Sequence, residues 1–132
     1  MPPMERDTQQ RRAICKVFQD ADRPLSPREV AQAAKAQAPG VGLATVYRNI
    51  KGLVNGGRLV PVRIPGEPPL YELRGHAHHH YFRCRACTQV FNIHACPGDL
   101  APLVPRGFRV EDHSIVLFGL CAACGRARKK KD

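Results

Sequence analysis

Apolar residues recur at helical spacing in three successive stretches of the N-terminal half. The pattern predicts helices over residues 8–20, 26–37 and 42–54. The second helix opens with a capping-box pattern, in which Ser26 is followed three residues later by Glu29. In the third helix five apolar residues form one stripe along the helix, namely Leu43, Val46, Ile50, Leu53 and Val54.

Short strands replace helices after residue 57. Residues 58–64 and 70–73 flank a turn rich in proline and glycine, which predicts a β-hairpin. Further elements are predicted as strands over residues 81–84, 89–93 and 108–118 and as a short helix over residues 97–104. The predicted fold class is α/β (α+β), with an N-terminal winged helix-turn-helix domain followed by a small three-stranded α/β domain.

The composition changes at Arg74-Gly75 from basic and helical to rich in cysteine and histidine. This change predicts a boundary between a first domain, residues 1–74, and a second domain, residues 75–125. The last seven residues, 126–132, carry five basic side chains and one acid. We predict that they form a disordered basic tail that adds non-specific affinity for DNA.

Positive charge is concentrated away from the middle of the chain. Residues 1–63 carry 11 lysines and arginines against 5 acids, whereas residues 64–125 carry 5 of each. A basic first half is typical of a protein that binds a polyanion, although a basic surface that only favours solubility is an equal alternative on charge alone. No apolar run approaches the roughly 20 residues of a membrane span, and the N-terminus lacks an apolar signal core, so we expect a cytoplasmic protein without a membrane partner.

Four of the six cysteines form two Cys-x-x-Cys pairs, Cys84 with Cys87 and Cys121 with Cys124. A two-residue spacer lets both sulfurs of a pair reach one ion, and zinc binds four ligands in a tetrahedron. We therefore predict a closed structural Zn²⁺ site, which stabilises the fold and has no open position for chemistry.

Histidines precede the first cysteine pair and predict a second metal site. On a strand His78 and His80 share one face, and His113 and Cys96 can converge on that face from later segments. The alternatives are a polar strand edge for the histidines, and a helix-start turn or a redox-sensitive thiol for Cys96. A thiolate with imidazoles favours Zn²⁺ over Mn²⁺ in such a regulatory site, while Fe²⁺ stays open.

The polar face of the third predicted helix suits a DNA major groove. Thr45, Arg48 and Lys51 lie opposite the apolar stripe, and Tyr47 lies at its border. An ordinary amphipathic surface helix is the simpler interpretation of this element when it is considered alone.

Several motifs together resemble the Fur (ferric uptake regulator) superfamily over residues 8–124. They are the segment 42–48, the His-rich run before Cys84, Gly107-Phe108 with His113, and the closing Cys-x-x-Cys pair. The resemblance implies a homodimeric, metal-responsive repressor without catalysis, whose C-terminal α/β domain dimerises. It also implies a palindromic A/T-rich operator in double-stranded DNA, base contacts from Tyr47 and Arg48, and a minor-groove contact from Arg6.

The resemblance also bears on the metal ligands. The predicted set of His78, His80, Cys96 and His113 overlies the family site that usually combines histidines with acids. A second family site near the domain boundary is matched by Glu72 and His79, whereas Pro24 and Tyr81 stand where two of its ligands are expected. A shift of one residue would instead move His78 and His80 into that site. His76 is a further weak candidate.

Because Cys96 is a candidate thiolate ligand, we expect the chain to be most similar to the zinc-uptake (Zur-type) branch of the superfamily. Iron or peroxide sensing is the alternative. A metalloenzyme is disfavoured because neither His-Glu-x-x-His nor the deaminase pattern occurs. A non-sensing zinc-ribbon interaction module is the remaining alternative, and it would bind its partner equally well with or without a second metal.

Overall fold

The structure is a computed structural model that describes residues 3–75 and 78–131, and among these the side chains of residues 8 to 127. The chain divides into two compact units, Met1–His76 and Ala77–Asp132. The boundary predicted from composition lies two residues before this division.

The first unit contains three helices followed by a β-hairpin. Its elements are α1 (Pro3–Asp20), α2 (Pro27–Ala34), α3 (Leu43–Asn55), β1 (Leu59–Val62) and β2 (Leu70–Leu73). The two strands are antiparallel, with Val60 opposite Glu72. The order of helices and hairpin is that of the predicted winged helix-turn-helix unit.

Local sequence explains how these elements begin and pack. The capping box of α2 is present: Ser26 Oγ accepts from the Glu29 N–H at 3.1 Å, and Glu29 Oε1 accepts from the Ser26 N–H at 3.0 Å. The apolar stripes of the helices meet in one buried cluster that includes Ile14, Val30, Val46, Ile50 and Leu59. Leu25 and Tyr71 exchange two backbone hydrogen bonds of 2.8 and 2.9 Å, which attach the segment before α2 to the hairpin.

The second unit is a three-stranded sheet with one helix. Its elements are β3 (His80–Cys84), β4 (Val90–Ile93), β5 (Val116–Gly119) and α4 (Ala122–Lys131). The central strand β3 pairs with β4 in antiparallel and with β5 in parallel orientation. Phe82 lies opposite both Phe91 and Leu117, and the predicted three-stranded sheet is confirmed.

The third strand is much shorter than the sequence predicted. Only residues 116–119 form a strand, although the prediction covered residues 108–118. The N–H of His113 donates to Asp112 Oδ1 at 2.8 Å, and the N–H of Ile115 donates to His80 Nδ1 at 3.1 Å. These two amide groups are therefore used by side chains and do not join the strand ladder.

Element ends also differ from the predictions. Helix α1 begins at Pro3 instead of Thr8. Proline is well tolerated in a first helical turn, so Pro3 is compatible with this earlier start. The short helix predicted over residues 97–104 is a single 3-10 turn at Ala101–Leu103, and α2 ends three residues before Gln37. Helix α4 extends to Lys131, where the sequence predicted a disordered tail from residue 126.

Candidate metal centres and DNA-binding face

The four paired cysteines meet beside one end of β3. Cys84 ends the strand, Cys87 lies in the following turn, Cys121 directly precedes α4 and Cys124 lies in the first part of that helix. Their sulfur atoms all lie within 4.8 Å of one another, and Sγ of Cys87 is 3.9 Å from Sγ of Cys121. A tetrahedral zinc with Zn–S bonds of about 2.3 Å places its sulfurs about 3.8 Å apart. The four thiols therefore fit a zinc ion.

Backbone amides prepare this site for thiolates. The N–H groups of Cys121 and Cys87 donate to Cys84 Sγ at 3.4 and 3.5 Å. These hydrogen bonds, that of Cys121 first, lower the pKa of Cys84 to about 6. Hydrogen bonds with the side chains of Cys121 and Cys84, together with burial, raise the pKa of Cys124 to about 12. The cluster thus holds a thiolate at Cys84 and a proton at Cys124 near neutral pH when no metal is bound.

A second ligand cluster contains three histidines and one cysteine. Nε2 of His78 lies 3.1 Å from Nε2 of His80 and 3.1 Å from Nε2 of His113. Sγ of Cys96 lies 3.2 Å from Nε2 of His113 and 3.4 Å from Nε2 of His80. A tetrahedral zinc with Zn–N bonds of about 2.0 Å places its nitrogens about 3.3 Å apart. The spacing of the donor atoms therefore fits a tetrahedral metal site.

The surroundings of His80 favour its neutral imidazole. His80 is buried, with 2% of its surface exposed. Burial, followed by the charges of His78 and His113, lowers the pKa of His80. Because a metal binds the neutral imidazole, this environment reduces competition from protons for His80.

The central strand contributes one ligand to each cluster. His80 begins β3 and Cys84 ends it, and residues four apart on a strand lie on the same face of the sheet. Five of the other ligands lie next to strand ends: His78 precedes β3 and Cys87 follows it, Cys96 follows β4, His113 precedes β5, and Cys121 follows β5. The remaining ligand, Cys124, lies in α4.

The two weaker ligand candidates that the structure describes, Glu72 and His79, belong to different units. Glu72 is buried in β2, in the first unit. The His79 ring lies 5.0 Å from the Tyr81 ring and 6.0 Å from the His94 ring. The ring of the next residue, His80, belongs to the second cluster. Among the residues that the structure describes, neither Glu72 nor His79 joins a group of metal-ligating side chains. His76 lies outside the described residues.

Helix α3 presents the predicted polar face. Val46 and Ile50 are buried, whereas Tyr47, Arg48 and Lys51 are exposed. Thr45 is half-buried, and its Oγ1 accepts a hydrogen bond from Arg48 Nη2 at 3.2 Å. Arg6 belongs to α1, but its side chain lies outside the described residues.

Two cavities flank the exposed side of α3. One, of about 340 Å³, is lined by Thr8, Arg11, Thr45, Arg48 and Asn49. The other, of about 450 Å³, is lined by residues of α3 and of the hairpin, including Tyr47, Arg48, Lys51, Arg63 and Tyr71. Sequence analysis did not identify Arg11, Asn49 or Arg63, because no local motif indicates which residues of α1 and the hairpin adjoin α3.

No helix in the part of the chain that the structure describes is long and apolar enough to cross a membrane.

Comparisons with known proteins agree with this architecture. The profile of the Ferric uptake regulator family matches residues 5–118. The ferric uptake regulation protein of Bordetella parapertussis is 32% identical over 121 residues, which cover 87% of this chain and 86% of that protein.

Two solved structures illustrate the shared fold. The zinc uptake regulator FurB of M. tuberculosis is 27% identical with a TM-score of 0.51, and the match covers 91% of this chain and 95% of that one. A zinc-bound manganese uptake regulator has a TM-score of 0.74 at 23% identity, with 89% and 94% covered, and shows the same fold. The predicted fold class is thereby confirmed. The chain belongs to the ferric uptake regulator family, whose members are metal-responsive transcription regulators and not enzymes.

Proposed function

We propose that this chain is a zinc-responsive transcriptional repressor of the Zur type. The observation that carries the proposal is the position of Cys96 Sγ, 3.2 and 3.4 Å from two of the three converging imidazoles. One soft thiolate and three imidazoles in a tetrahedral arrangement suit Zn²⁺, whereas Mn²⁺ prefers oxygen ligands. His78, His80, Cys96 and His113 are therefore the proposed regulatory ligands.

The two clusters have different roles in this proposal. Cys84, Cys87, Cys121 and Cys124 hold a structural zinc, and the burial of Cys84 and the closed set of four ligands favour slow exchange. In the second cluster His78 and Cys96 are exposed, which gives free zinc access to its ligands. The first ion is thus a resident part of the fold, and the second reports the zinc level.

Zinc bound at the second cluster would connect His78 and His80 to a segment that lies outside the strands of the sheet. Residues 94–115 contain no strand and only one 3-10 turn, and they supply both Cys96 and His113. A metal that binds both residues to His78 and His80 orders this segment. We infer that zinc thereby favours the conformation of the protein that binds DNA, with a coupling of about 1–3 kcal/mol.

The repressor acts as a homodimer on double-stranded DNA. Strand β5 is an edge strand of the described sheet, and its Leu117 and Phe118 are 51% and 42% exposed. An apolar edge of this kind is normally covered by another chain, and family members are DNA-binding dimers. A dimer presents two recognition helices to a palindromic operator, for which A/T-rich sequence is expected.

Helix α3 is the proposed recognition helix. Thr45, Tyr47, Arg48 and Lys51 supply DNA contacts, and Arg6 supplies a contact in the minor groove. The proposed location is the cytoplasm, which suits a protein that acts on DNA.

DNA-binding titration followed by fluorescence anisotropy tests the function. Protein that holds only its structural zinc is titrated on promoter DNA with Zn²⁺, Fe²⁺ or Mn²⁺ in separate anaerobic runs. We expect zinc to tighten binding about 5–150-fold at the lowest free-metal concentration. Cys96→Ala should lose the response to zinc, whereas the control Cys15→Ala, which changes a cysteine of α1, should keep it.

Three results would contradict the proposal. If Fe²⁺ or Mn²⁺ tightens DNA binding at a lower free-metal concentration than Zn²⁺ does, the protein is an iron, peroxide or manganese sensor. The similar protein of Bordetella parapertussis is named for ferric uptake. Metal-independent DNA binding would indicate a non-sensing zinc-ribbon module. A full zinc response in Cys96→Ala would remove the thiolate from the site.

A further inference from the structure

Cys96 is an exposed thiol in contact with imidazoles. It lies in the segment that follows β4, and it supplies the one sulfur of the second cluster. Its Sγ lies 3.2 Å from Nε2 of His113 and 3.4 Å from Nε2 of His80. Oxidants react with cysteines that are open to solvent and whose neighbours assist the loss of the thiol proton. Exposure and neighbouring groups therefore both favour oxidation at Cys96.

The hydrogen bonds around His80 select His113 as the acceptor of the thiol proton. The backbone N–H of Ile115 donates to Nδ1 of His80 at 3.1 Å. A neutral imidazole carries one proton, so that of His80 lies on Nε2, which therefore cannot accept a proton from Cys96. Nε2 of His113 is the other imidazole nitrogen in contact with Cys96 Sγ. A neutral His113 that carries its own proton on Nδ1 accepts a hydrogen bond from the thiol.

Oxidation has a different product at Cys96 than in the four-cysteine cluster. In that cluster the sulfur atoms all lie within 4.8 Å of one another, so an oxidised cysteine has thiols beside it that can form a disulfide. Cys96 contacts His80 at the start of β3, whereas Cys84 ends that strand, about 13 Å further along. A disulfide requires Cα atoms within about 7 Å of each other. Cys96 is therefore kept apart from the other described cysteines of the second unit, and its oxidation product is a sulfenic acid.

We propose that Cys96 is a modification site for a hydroperoxide, and that its oxidation and zinc binding at the second cluster exclude each other. This inference rests on the proposed function, to which it adds a second signal that releases the repressor from DNA. The reaction needs no iron, which distinguishes it from metal-catalysed oxidation of the histidines.

The oxidation is a two-electron step. The Cys96 sulfur attacks one oxygen of hydrogen peroxide, so that an S–O bond forms while the O–O bond breaks. The sulfur loses the two electrons that the peroxide gains. The thiol proton moves to Nε2 of His113 and from there to the leaving oxygen, so the products are a sulfenic acid and water.

This modification removes the soft ligand from the zinc site. Zinc binds a cysteine as its thiolate, and a sulfenic acid does not supply one. The three imidazoles then remain, and His113 is the one ligand left in the segment of residues 94–115. Conversely, zinc bound to Cys96 occupies the sulfur that attacks the peroxide.

Chemical trapping followed by mass spectrometry tests the proposal. Protein that holds only its structural zinc is treated with hydrogen peroxide in iron-free buffer that contains dimedone, which forms an adduct with sulfenic acids. We expect Cys96 to be labelled roughly tenfold faster than Cys15, which is half-buried against the core of the first unit. Filling the second cluster with Zn²⁺ should slow the labelling of Cys96 roughly tenfold.

A second measurement follows zinc content and DNA binding after oxidation. The oxidised protein should keep its structural zinc, fail to bind the second zinc ion and lose the tightening of DNA binding by zinc. Reduction of the sulfenic acid with a phosphine should restore both properties.

Cys96→Ser and Cys15→Ser are matched variants, because each removes one cysteine outside the four-cysteine cluster. Cys15→Ser should be labelled at Cys96 at the wild-type rate, whereas Cys96→Ser should form no adduct in the second cluster. His113→Gln tests the path of the proton, since it removes the acceptor and should slow the labelling of Cys96 in the absence of zinc. Circular dichroism and the content of structural zinc verify that each variant is folded.

Four results would overturn the proposal. If Cys96 is labelled no faster than Cys15, it is not a site for hydroperoxides. If Cys96 instead forms a disulfide, within one chain or between two chains, its product is not a sulfenic acid. If the oxidised protein binds the second zinc as tightly as the reduced protein does, oxidation and zinc binding do not exclude each other. If the structural zinc is lost before Cys96 is labelled, the oxidant acts at the four-cysteine cluster.

Failure of the proposed function gives a different result. DNA binding by the untreated wild type would then not respond to zinc, while the labelling of Cys96 and its protection by zinc are measured without DNA.

Discussion

The backbone N–H of Ile115 donates to Nδ1 of His80 at 3.1 Å, while Nε2 of the same ring lies among the donor atoms of the second cluster. A neutral imidazole carries one proton, so an accepting Nδ1 places that proton on Nε2. A histidine that binds metal through Nε2 carries its proton on Nδ1. Metal binding by His80 through Nε2 therefore has to break the hydrogen bond from Ile115.

This exchange predicts a local spectroscopic change. When zinc fills the second cluster, the amide proton of Ile115 should lose its acceptor and shift upfield, and the His80 ring proton should move to Nδ1. Two-dimensional ¹H–¹⁵N NMR of the backbone and of the imidazoles measures both changes. The amide of Leu117, which lies in the strand ladder, is the internal reference. An unchanged Ile115 signal at zinc saturation would show that His80 does not bind through Nε2.

The number of protons that zinc has to displace from the four-cysteine site should change near pH 6. The pKa of Cys84 is lowered from 9.0 to about 6, so its thiolate is present above pH 6 and is lost as the pH falls through that value. Cys124, with its pKa raised to about 12, keeps its proton until metal displaces it. Each displaced proton changes zinc affinity about tenfold per pH unit.

Chelator competition between about pH 5 and 8 measures this dependence. We expect zinc affinity to fall with decreasing pH over the whole range. Below pH 6 it should fall more steeply, because zinc then also has to displace the proton of Cys84. A slope that stays constant through pH 6 would contradict a preformed thiolate at Cys84.

Cys121→Ser should release the structural zinc. Its sulfur is one of four converging donors, and it lies 3.9 Å from that of Cys87. Loss of one ligand opens the site, and the second unit should unfold at lower temperature because zinc binding stabilises the folded state. Metal analysis after dialysis against a chelator, together with calorimetry, tests this expectation.

Cys15→Ser is the control for that measurement, because Cys15 lies in α1 and should leave the zinc content at its wild-type value. Retention of one tightly held zinc in Cys121→Ser would contradict the four-cysteine assignment.

Ile50→Ala should destabilise the first unit by about 2–5 kcal/mol. Ile50 is 2% exposed and belongs to the buried cluster, so truncation leaves a cavity among well-packed side chains. Urea unfolding followed by far-ultraviolet circular dichroism measures the loss. Lys51→Ala, one residue further and exposed, should change stability by less than about 0.5 kcal/mol. Equal effects of the two substitutions would contradict the burial of Ile50.

Much of the first unit follows from local pattern. The apolar stripe of α3 predicts its buried face, and Ser26 with Glu29 predicts where α2 starts, because helical periodicity and capping depend on residues within one or two turns. The two Cys-x-x-Cys pairs predict their common site for a similar reason, since the spacer itself brings each pair of sulfurs together.

Other features depend on contacts between distant segments. The late start of the third strand, at residue 116 instead of 108, is explained by His80 Nδ1, which accepts the Ile115 N–H across 35 positions of sequence. That Arg11 and Arg48 line the same cavity depends on how α1 packs against α3.

The sequence by itself determined the order of the elements, the capping of α2 and the residue types available as metal ligands. Only the tertiary structure decided that Cys96 and His113 meet His78 and His80 within one tetrahedral spacing, and that His79 stays apart from them. The physical reason is that periodicity assigns a side chain to a face of its own strand or helix. The partner across that face is selected by packing and hydrogen bonding between segments that are far apart in the chain.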